Sequence, residues 1–277
     1  MKTAIKIITI IYFVNIIPFY LTAQESKWRK LDTGLHIGEF ESPQKSITGD
    51  SKITILRIDP HIYSFKLLCA DELNHSKLTA KEWCQRYNLL GTINAGMFQM
   101  DHKSNVGYMK NYKFMNNAKI NSTYLSVAAF NPIDTTRNSF HIFDIDDSNM
   151  NDIINNYNTV IQNLRLIKRP GLNRWSQQKR MWSEAALGQD KNGNVLFIFS
   201  LSPYSMHDLN NILLNLPIDI VCVQHLEGGP EASLFFSHKN VAIEKVGSYE
   251  TGFNENDNNK AFWSIPNVIG FYKNDKN

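Results

Sequence analysis

The sequence predicts one α+β domain, a mixed β-sheet core with about three helices. Three observations lead there. Short runs rich in Val, Ile, Phe and Tyr recur along the chain, separated by Gly, Pro, Asn and Asp. Three stretches combine a helical pattern with a recognisable start. No internal repeat and no low-complexity linker divides the 277 residues.

Residues 28–40 read as an edge strand plus linker, because Gly34, Gly38 and Pro43 interrupt them. Residues 52–59 and 63–70 read as two strands around Asp59-Pro60, a turn dipeptide. Thr79 and Glu82 form a capping box, with Leu78 and Trp83 at staple spacing, so a helix is expected to Tyr87. Trp83 and Tyr87 share a face of it and are assigned to packing. Residues 106–120 suggest an aromatic, Lys-rich hairpin with turns at Asn111 or Asn117. Residues 124–130 and 140–145 are strand-like.

The acidic run from Asp144 to Asn149 invites a calcium-loop reading, which fails. Asn149 stands where the EF-hand needs Gly, and Asn155 where it needs Glu. Capping of a short helix over 149–157 is the better reading. A strand over 159–167 and a turn at Arg169-Pro170-Gly171 follow. Residues 173–180 form a polar, basic loop around Trp175. Asn192-Gly193 joins 182–187 to 195–201 as a hairpin. Ser205 and Asp208 start the third helix, whose apolar side is Leu209, Ile212, Leu213 and Leu216. Strand, helix and strand over 195–223 predict a right-handed crossover between parallel strands. Residues 242–246 and 262–272 complete the sheet, around an Asn-rich loop at 252–260.

The first 23 residues are a targeting segment. Lys2 and Lys6 precede an apolar core at 7–17, and Leu21-Thr22-Ala23 offers a cleavage site before Gln24. The core is short for a membrane span and Pro18 follows it, so an uncleaved anchor ranks second to export. The protein is thus expected to be secreted or periplasmic, with residues 24–277 as the working domain and no stable span after cleavage. No cysteine follows the apolar core, which argues against a lipid anchor. Without Lys2 and Lys6 the formal charge drops from +3 to +1. So weak a field argues against a nucleic-acid partner. Cys69, Cys84 and Cys222 form neither a disulfide framework nor a zinc site, and buried thiols are the default. One disulfide remains open in an exported chain.

Two stretches carry candidate chemistry. Residues 218–236 open as a buried strand and stop at Gln224, His225, Glu227, Gly228, Gly229, Pro230, Glu231 and Ser233. Adjacent glycines free backbone N–H groups to face a ligand, and two carboxylates flank them. Residues 89–107 are apolar until Asn94-Ala95-Gly96, then expose Asp101 and His102 and return through Val106-Gly107. Two strand ends, each with glycine and carboxylate, suit one cleft.

NAGMF (94–98) with its following acid resembles the NGGMF…G segment of the phosphodiester glycosidase family. HLEGGPEASL (225–234) resembles that family's LDGGGSATL signature. In order between them, VIQNLRL (160–166) is similar to its LQSGPxL strand, AALGQDKNGN (185–194) to its AIGxDxxG hairpin, and SMHDL (205–209) to its helix start. The resemblance spans about residues 50–272. It implies a glycosidase that splits a sugar from the phosphate of a phosphodiester, like the lysosomal uncovering enzyme and secreted bacterial proteins linked to exopolysaccharide.

Such a reaction must hold a phosphate, activate water or attack with a carboxylate, and stabilise an oxocarbenium-like transition state. On the resemblance, Glu227 is the general base or nucleophile and Asp101 its partner, with Glu231 replacing or assisting either. Backbone N–H groups at Gly96, Gly228 and Gly229 would cradle the phosphate, with Arg165 as clamp. Asn94 would bond the sugar or fix the turn. His207 would donate to a phosphate oxygen or cap its helix. Gln162 and Ser233 complete the substrate-binding set. No cofactor is expected, with a divalent cation at Asp101 and Glu227 left open.

The chain departs from the family pattern. Glu227 stands where members usually have Asp. Pro230 removes a donor N–H, and Glu231 adds a charge that opposes phosphate. Glu184 falls where members often carry Arg, with Arg180 four residues earlier. These changes leave a neutral or differently linked glycan open as substrate. They also leave open a non-catalytic, exported glycan-binding or envelope protein on the same scaffold. An amidase or esterase is disfavoured because no G-x-S-x-G elbow occurs, and zinc chemistry because no H-E-x-x-H occurs.

Overall fold

The computed structural model describes residues 27–274, so the targeting segment expected at 1–23 lies outside it. The stretch expected as edge strand plus linker is a hairpin of β1 (Trp28–Asp32) and β2 (Leu35–Glu41), with Gly34 at φ +67° in the turn. Then come β3 (Lys52–Ile58) and β4 (Tyr63–Cys69), as expected. Helix α1 (Ala80–Arg86) starts at the capping box: Thr79 Oγ1 accepts from the Glu82 N–H at 3.2 Å, and the Thr79 N–H donates to Glu82 Oε2 at 2.8 Å. Strand β5 (Gly91–Asn94) leads to the β6 (Met109–Asn111) and β7 (Phe114–Asn117) hairpin, which turns at Tyr112 rather than at either asparagine. Strands β8 (Ser126–Pro132) and β9 (Phe140–Asp144) precede α2 (Met150–Asn156), capped by Asn149.

The single strand expected over 159–167 is two. β10 (Tyr157–Asn163) and β11 (Arg165–Lys168) part at Leu164 and join different sheets. After β12 (Leu172–Asn173), β13 (Trp182–Asp190) and β14 (Val195–Tyr204) form the predicted hairpin. Its turn is tied by Asp190 Oδ1, which accepts from the Asn192 and Asn194 N–H groups at 2.9 Å each. Helix α3 (Met206–Asn215) is capped by Ser205, and β15 (Ile220–Gly228) runs into a 3-10 turn at Gly229–Glu231. The chain closes with β16 (Ser233–His238), β17 (Val241–Val246) and β18 (Asn267–Lys273).

Three sheets result, ordered β1-β2-β3-β14-β13-β15-β11-β12, β7-β6-β10-β8-β9 and β17-β16-β5-β18-β4. All three contribute to one core. Phe65 of β4 shows how: its ring lies 4.8 to 6.4 Å from those of Phe140, Phe130, Phe197 and Phe271, which come from all three sheets. One shared core makes this a single α+β domain. Each helix covers the outer face of one sheet. Helix α3 packs on Ile53, Ile55, Ala186, Ile198 and Val223, α1 on Leu68, Phe235 and Val268, and α2 on Val127, Ala129 and Val160. The strands alternate accordingly: in β3, Ile53 and Ile55 face α3, while Leu56 and Ile58 face the shared core.

The predicted crossover needs correction. Strands β14 and β15 do run parallel, but β13 lies between them and is antiparallel to both. The hairpin signal at Asn192-Gly193 was local; its second partner came from afar. The Asp144–Asn149 run also finds its task here. Asp144 and Asp146 bind Arg165, and Asp146 and Asp147 bind Lys168, so the acidic loop clamps β11.

Candidate active site

Strands β13 and β15 end side by side, with Glu184 opposite Gly228 and Ala185 opposite Glu227. The register slips between Ala185 and Ala186, because Ala186 faces His225 and an extra residue, Leu226, is inserted. Such a bulge re-aims side chains at a strand end. Glu184 and Ala186 share a face of β13, so His225 comes up beside Glu184. Its Nδ1 lies 2.6 Å from Glu184 Oε1, and both residues are buried, at 3% and 1% exposure. Trp182 Nε1–H donates to the other oxygen, Glu184 Oε2, at 2.7 Å, and its ring meets His225 edge-on.

The turn after β15 closes the cluster. Gly229 takes φ +63°, and a Cβ there would sit 2.7 Å from Glu250 Oε2. A Cβ on Gly228 would sit 2.7 Å from Trp182 Cδ1. Both glycines are therefore required by what packs on them. Asn94, at the end of β5, grips the turn from beneath: its Nδ2–H donates to Glu231 O at 3.0 Å, and its Oδ1 accepts from the Ser233 N–H at 2.8 Å. Ser233 Oγ–H donates to Glu231 O as well. The segment leading to Glu250 is held by Ser183, whose Oγ accepts from the Ser248 and Tyr249 N–H groups. The two sequence stretches thus meet, and Asn94 fixes the turn.

Three carboxylates, Glu184, Glu227 and Glu250, act on His225, and Glu231 joins the cluster beside Glu227 and Glu250. Burial pushes Glu227 up to about 8, with Glu231 and Glu184 adding, against His225 and the Gly228 N–H, which pull it down. Glu227 therefore holds a proton at neutral pH. For His225, burial disfavours the charged ring, but Glu184 outweighs it, aided by Glu227 and Glu250, and its pKa ends above the usual 6.5. Glu231 is also raised, by burial first and by Glu250, while Lys77 opposes. Glu184 thus favours the charged form of His225, and burial favours the neutral form of Glu227 beside it. Since Nδ1 is engaged, Nε2–H is the donor that His225 has left.

The model of the Phosphodiester glycosidase family matches residues 87–272. The chain belongs to the phosphodiester glycosidase family. That family acts as glycosidases on phosphodiester linkages. Among solved structures, the chain is similar to the catalytic domain of zebrafish N-acetylglucosamine-1-phosphodiester alpha-N-acetylglucosaminidase, auto-inhibited by its pro-peptide. The TM-score is 0.60 at 14% identity, covering 89% of this chain and 86% of that one. It is also similar to a hypothetical protein from Synechocystis, with TM-score 0.58 at 13% identity, covering 87% of this chain and 62% of that one. At such identities the likeness is one of fold. No curated protein sequence matches the chain.

Other expected site residues have different surroundings. Asp101 is exposed, and its carboxylate accepts from Lys103 N–H, Ser104 N–H and Ser104 Oγ–H in its own loop, which holds its pKa below the usual range. Gln162 is wholly buried. Its amide donates to Asn121 O and Tyr124 O, and its oxygen accepts from the Tyr108 and Asn121 N–H groups, so every position is taken inside the protein. Arg165 Nη1 binds Asp144 and Asp146. His207 Nδ1 lies 2.6 Å from Trp175 O and Nε2 3.0 Å from Asn211 Nδ2, which pins the loop before β13 to α3. Gly96 is crowded by Asn105 and Asn163, whose buried Oδ1 atoms have no partner among the described residues. Gly228 donates to Glu227 Oε1 at 3.1 Å rather than standing free. Among the described residues, no group of three or more His, Cys, Asp or Glu is placed to hold a metal ion.

Sequence reasoning assigned no role to Trp182, Glu184, His225 or Glu250. The available signal was the pair of alternations Trp182-x-Glu184 and His225-x-Glu227. It becomes legible only when β13 and β15 are known to pair.

Proposed function

We propose that this protein is an exported glycosidase that hydrolyses a sugar-1-phosphodiester or a closely related glycan linkage. The observation that carries the reading is the buried Glu184–His225 pair at two adjoining strand ends, with the Glu227 carboxyl, pushed up to about 8 by burial, at the same place. Glu227 is the proton-transfer group: it donates to the departing oxygen and, once ionised, takes a proton from water. This changes the role expected from sequence, since a nucleophile must rest ionised. His225, whose charged form Glu184 favours, faces the anionic oxygens through Nε2–H. Glu231 and Glu250 add the negative charge that stabilises an oxocarbenium-like sugar. Family membership supports the linkage, and the targeting segment supports secretion or a periplasmic location.

The test is a panel of glycosyl-1-phosphodiesters and aryl glycosides, scored for released sugar, with and without EDTA. Glu227→Gln runs alongside. Sugar release that disappears in the variant supports the reaction and its acid. If no member of the panel is cleaved by folded protein, the hydrolytic reading falls and a glycan-binding role replaces it.

A further inference from the structure

The carboxylate cluster has a charge problem. It gathers four glutamates, against which His225 and, beside Glu231, Lys77 act. A phosphate released there needs a positive region alongside. The chain supplies one. Between Asp152 and Glu184 there is no Asp or Glu, while Arg165, Lys168, Arg169, Arg174, Lys179 and Arg180 all fall in that interval. Arg165 and Lys168 are spent on Asp144, Asp146 and Asp147, and Arg169 on Ile142 O, Gln189 and Cys222. Arg174 is exposed, and no carboxylate binds it among the described residues.

Arg174 also lines a cavity of about 360 Å³, with Thr123, Leu125, Leu164, Arg165 and Trp175. One of its lining residues is the backbone neighbour of His225 across the sheet, since Leu164 O accepts from the His225 N–H at 2.9 Å. Leu164, Trp175 and Trp182 pack on the same apolar cluster, the one facing α3, so the cavity opens on the face of the sheet that carries Glu184 and His225. Its walls are built. Trp175 is fixed by its Nε1–H to Arg165 O at 2.8 Å and by Asn173 Oδ1 on its own N–H. Arg165 is held by two aspartates, so it forms a fixed part of the wall.

We propose that this cavity is the leaving-group subsite, and that it takes a phosphate ester whose alcohol part presents an apolar face. The phosphate lies against Arg174 at the His225 side, and the alcohol part packs on Trp175 and Leu164. The inference rests on the reading of Glu184, His225 and Glu227 as the reacting centre.

The test separates the two. Calorimetric titration with glucose 6-phosphate, phenyl phosphate and inorganic phosphate is run on wild type, Arg174→Gln and Trp175→Phe, with a melting curve for each. Wild type binds both esters more tightly than inorganic phosphate, and the preferred ester tells whether a sugar or an aryl group fills the pocket. Arg174→Gln weakens ester binding by about tenfold, as loss of one charged hydrogen bond implies. Trp175→Phe erodes the preference for esters over phosphate. Equal ester affinity in Arg174→Gln and wild type, or no ester binding to folded wild type, overturns the subsite. Turnover is measured on the same variants. Sugar release with unchanged ester binding in Arg174→Gln leaves the hydrolytic reading standing and removes the subsite. Arg174-dependent ester binding with no turnover does the reverse.

Discussion

His225 Nδ1 sits 2.6 Å from Glu184 Oε1, with both side chains buried and Trp182 donating to the second carboxylate oxygen. A buried ion pair is weak evidence for stability, but breaking one leaves an uncompensated charge. The pair therefore has a sharp signature in titration. Glu184→Gln keeps the shape and removes the charge, so burial then dominates and the His225 pKa falls below its usual value of 6.5. Histidine NMR across pH 4 to 9 reads it. Persistence of a raised His225 pKa in the variant would show that Glu184 is not the cause.

The same pair has a pH-dependent effect on stability. A histidine whose folded pKa exceeds 6.5 contributes stability that is full below 6.5 and is lost as pH rises through the folded value. Glu227 acts in the same direction by another route. Folded, it keeps its proton to about 8, whereas a free glutamate releases it near 4.5. The folded state thus pays nothing below 4.5 and is progressively disfavoured between 4.5 and 8. Glu227→Gln should melt higher than wild type, by a margin that widens from pH 5 to pH 8. A margin independent of pH contradicts the raised carboxyl.

On activity, Glu227→Gln should lower kcat by about 10²- to 10⁴-fold, the usual contribution of a positioned acid or base. With the acid form active, wild-type turnover falls as pH rises through about 8. A rate that climbs through that range instead would assign Glu227 as the base in the slow step.

Local chemistry was legible where the sequence itself completes it. Thr79 and Glu82, Ser205 and Asp208, and Asn192-Gly193 each predict a start or a turn from residues four apart or fewer, and each is found. Pairing was not legible. Nothing local tells β13 to lie between β14 and β15, so Glu184 read as a departure from a motif rather than as the partner of His225. Arg165 and Gln162 misled for a related reason. A polar residue on a strand looks available until its partners, Asp144 and Asp146 in one case and Tyr108, Asn121 and Tyr124 in the other, arrive from distant segments. The NAGMF and HLEGGPEASL stretches did meet as expected, through Asn94.

Gly229 gives a structural prediction. Its φ of +63° and the contact with Glu250 both oppose a side chain. Gly229→Ala should cost about 1–2 kcal/mol from the backbone alone, and should push Glu250 off the turn. Gly228 has φ −119°, so Gly228→Ala meets only Trp182. Denaturant unfolding of both variants should find Gly229→Ala the less stable, and the reverse order would mean that Trp182 packing outweighs the backbone.

Gln162 separates a structural role from a binding one. Its amide satisfies two carbonyls and two N–H groups on Tyr108, Asn121 and Tyr124, where β10 meets the loop before β8. Gln162→Ala strands these groups in a buried place. Each unsatisfied buried group costs about 1–3 kcal/mol, and water entry recovers part of it, so a net loss of about 3 kcal/mol is expected. Because no donor or acceptor of Gln162 is spare, KM should stay near wild type in whatever fraction remains folded. A raised KM with unchanged unfolding midpoint would instead make Gln162 a substrate contact, and would require the 118–125 segment to move away from it when substrate binds.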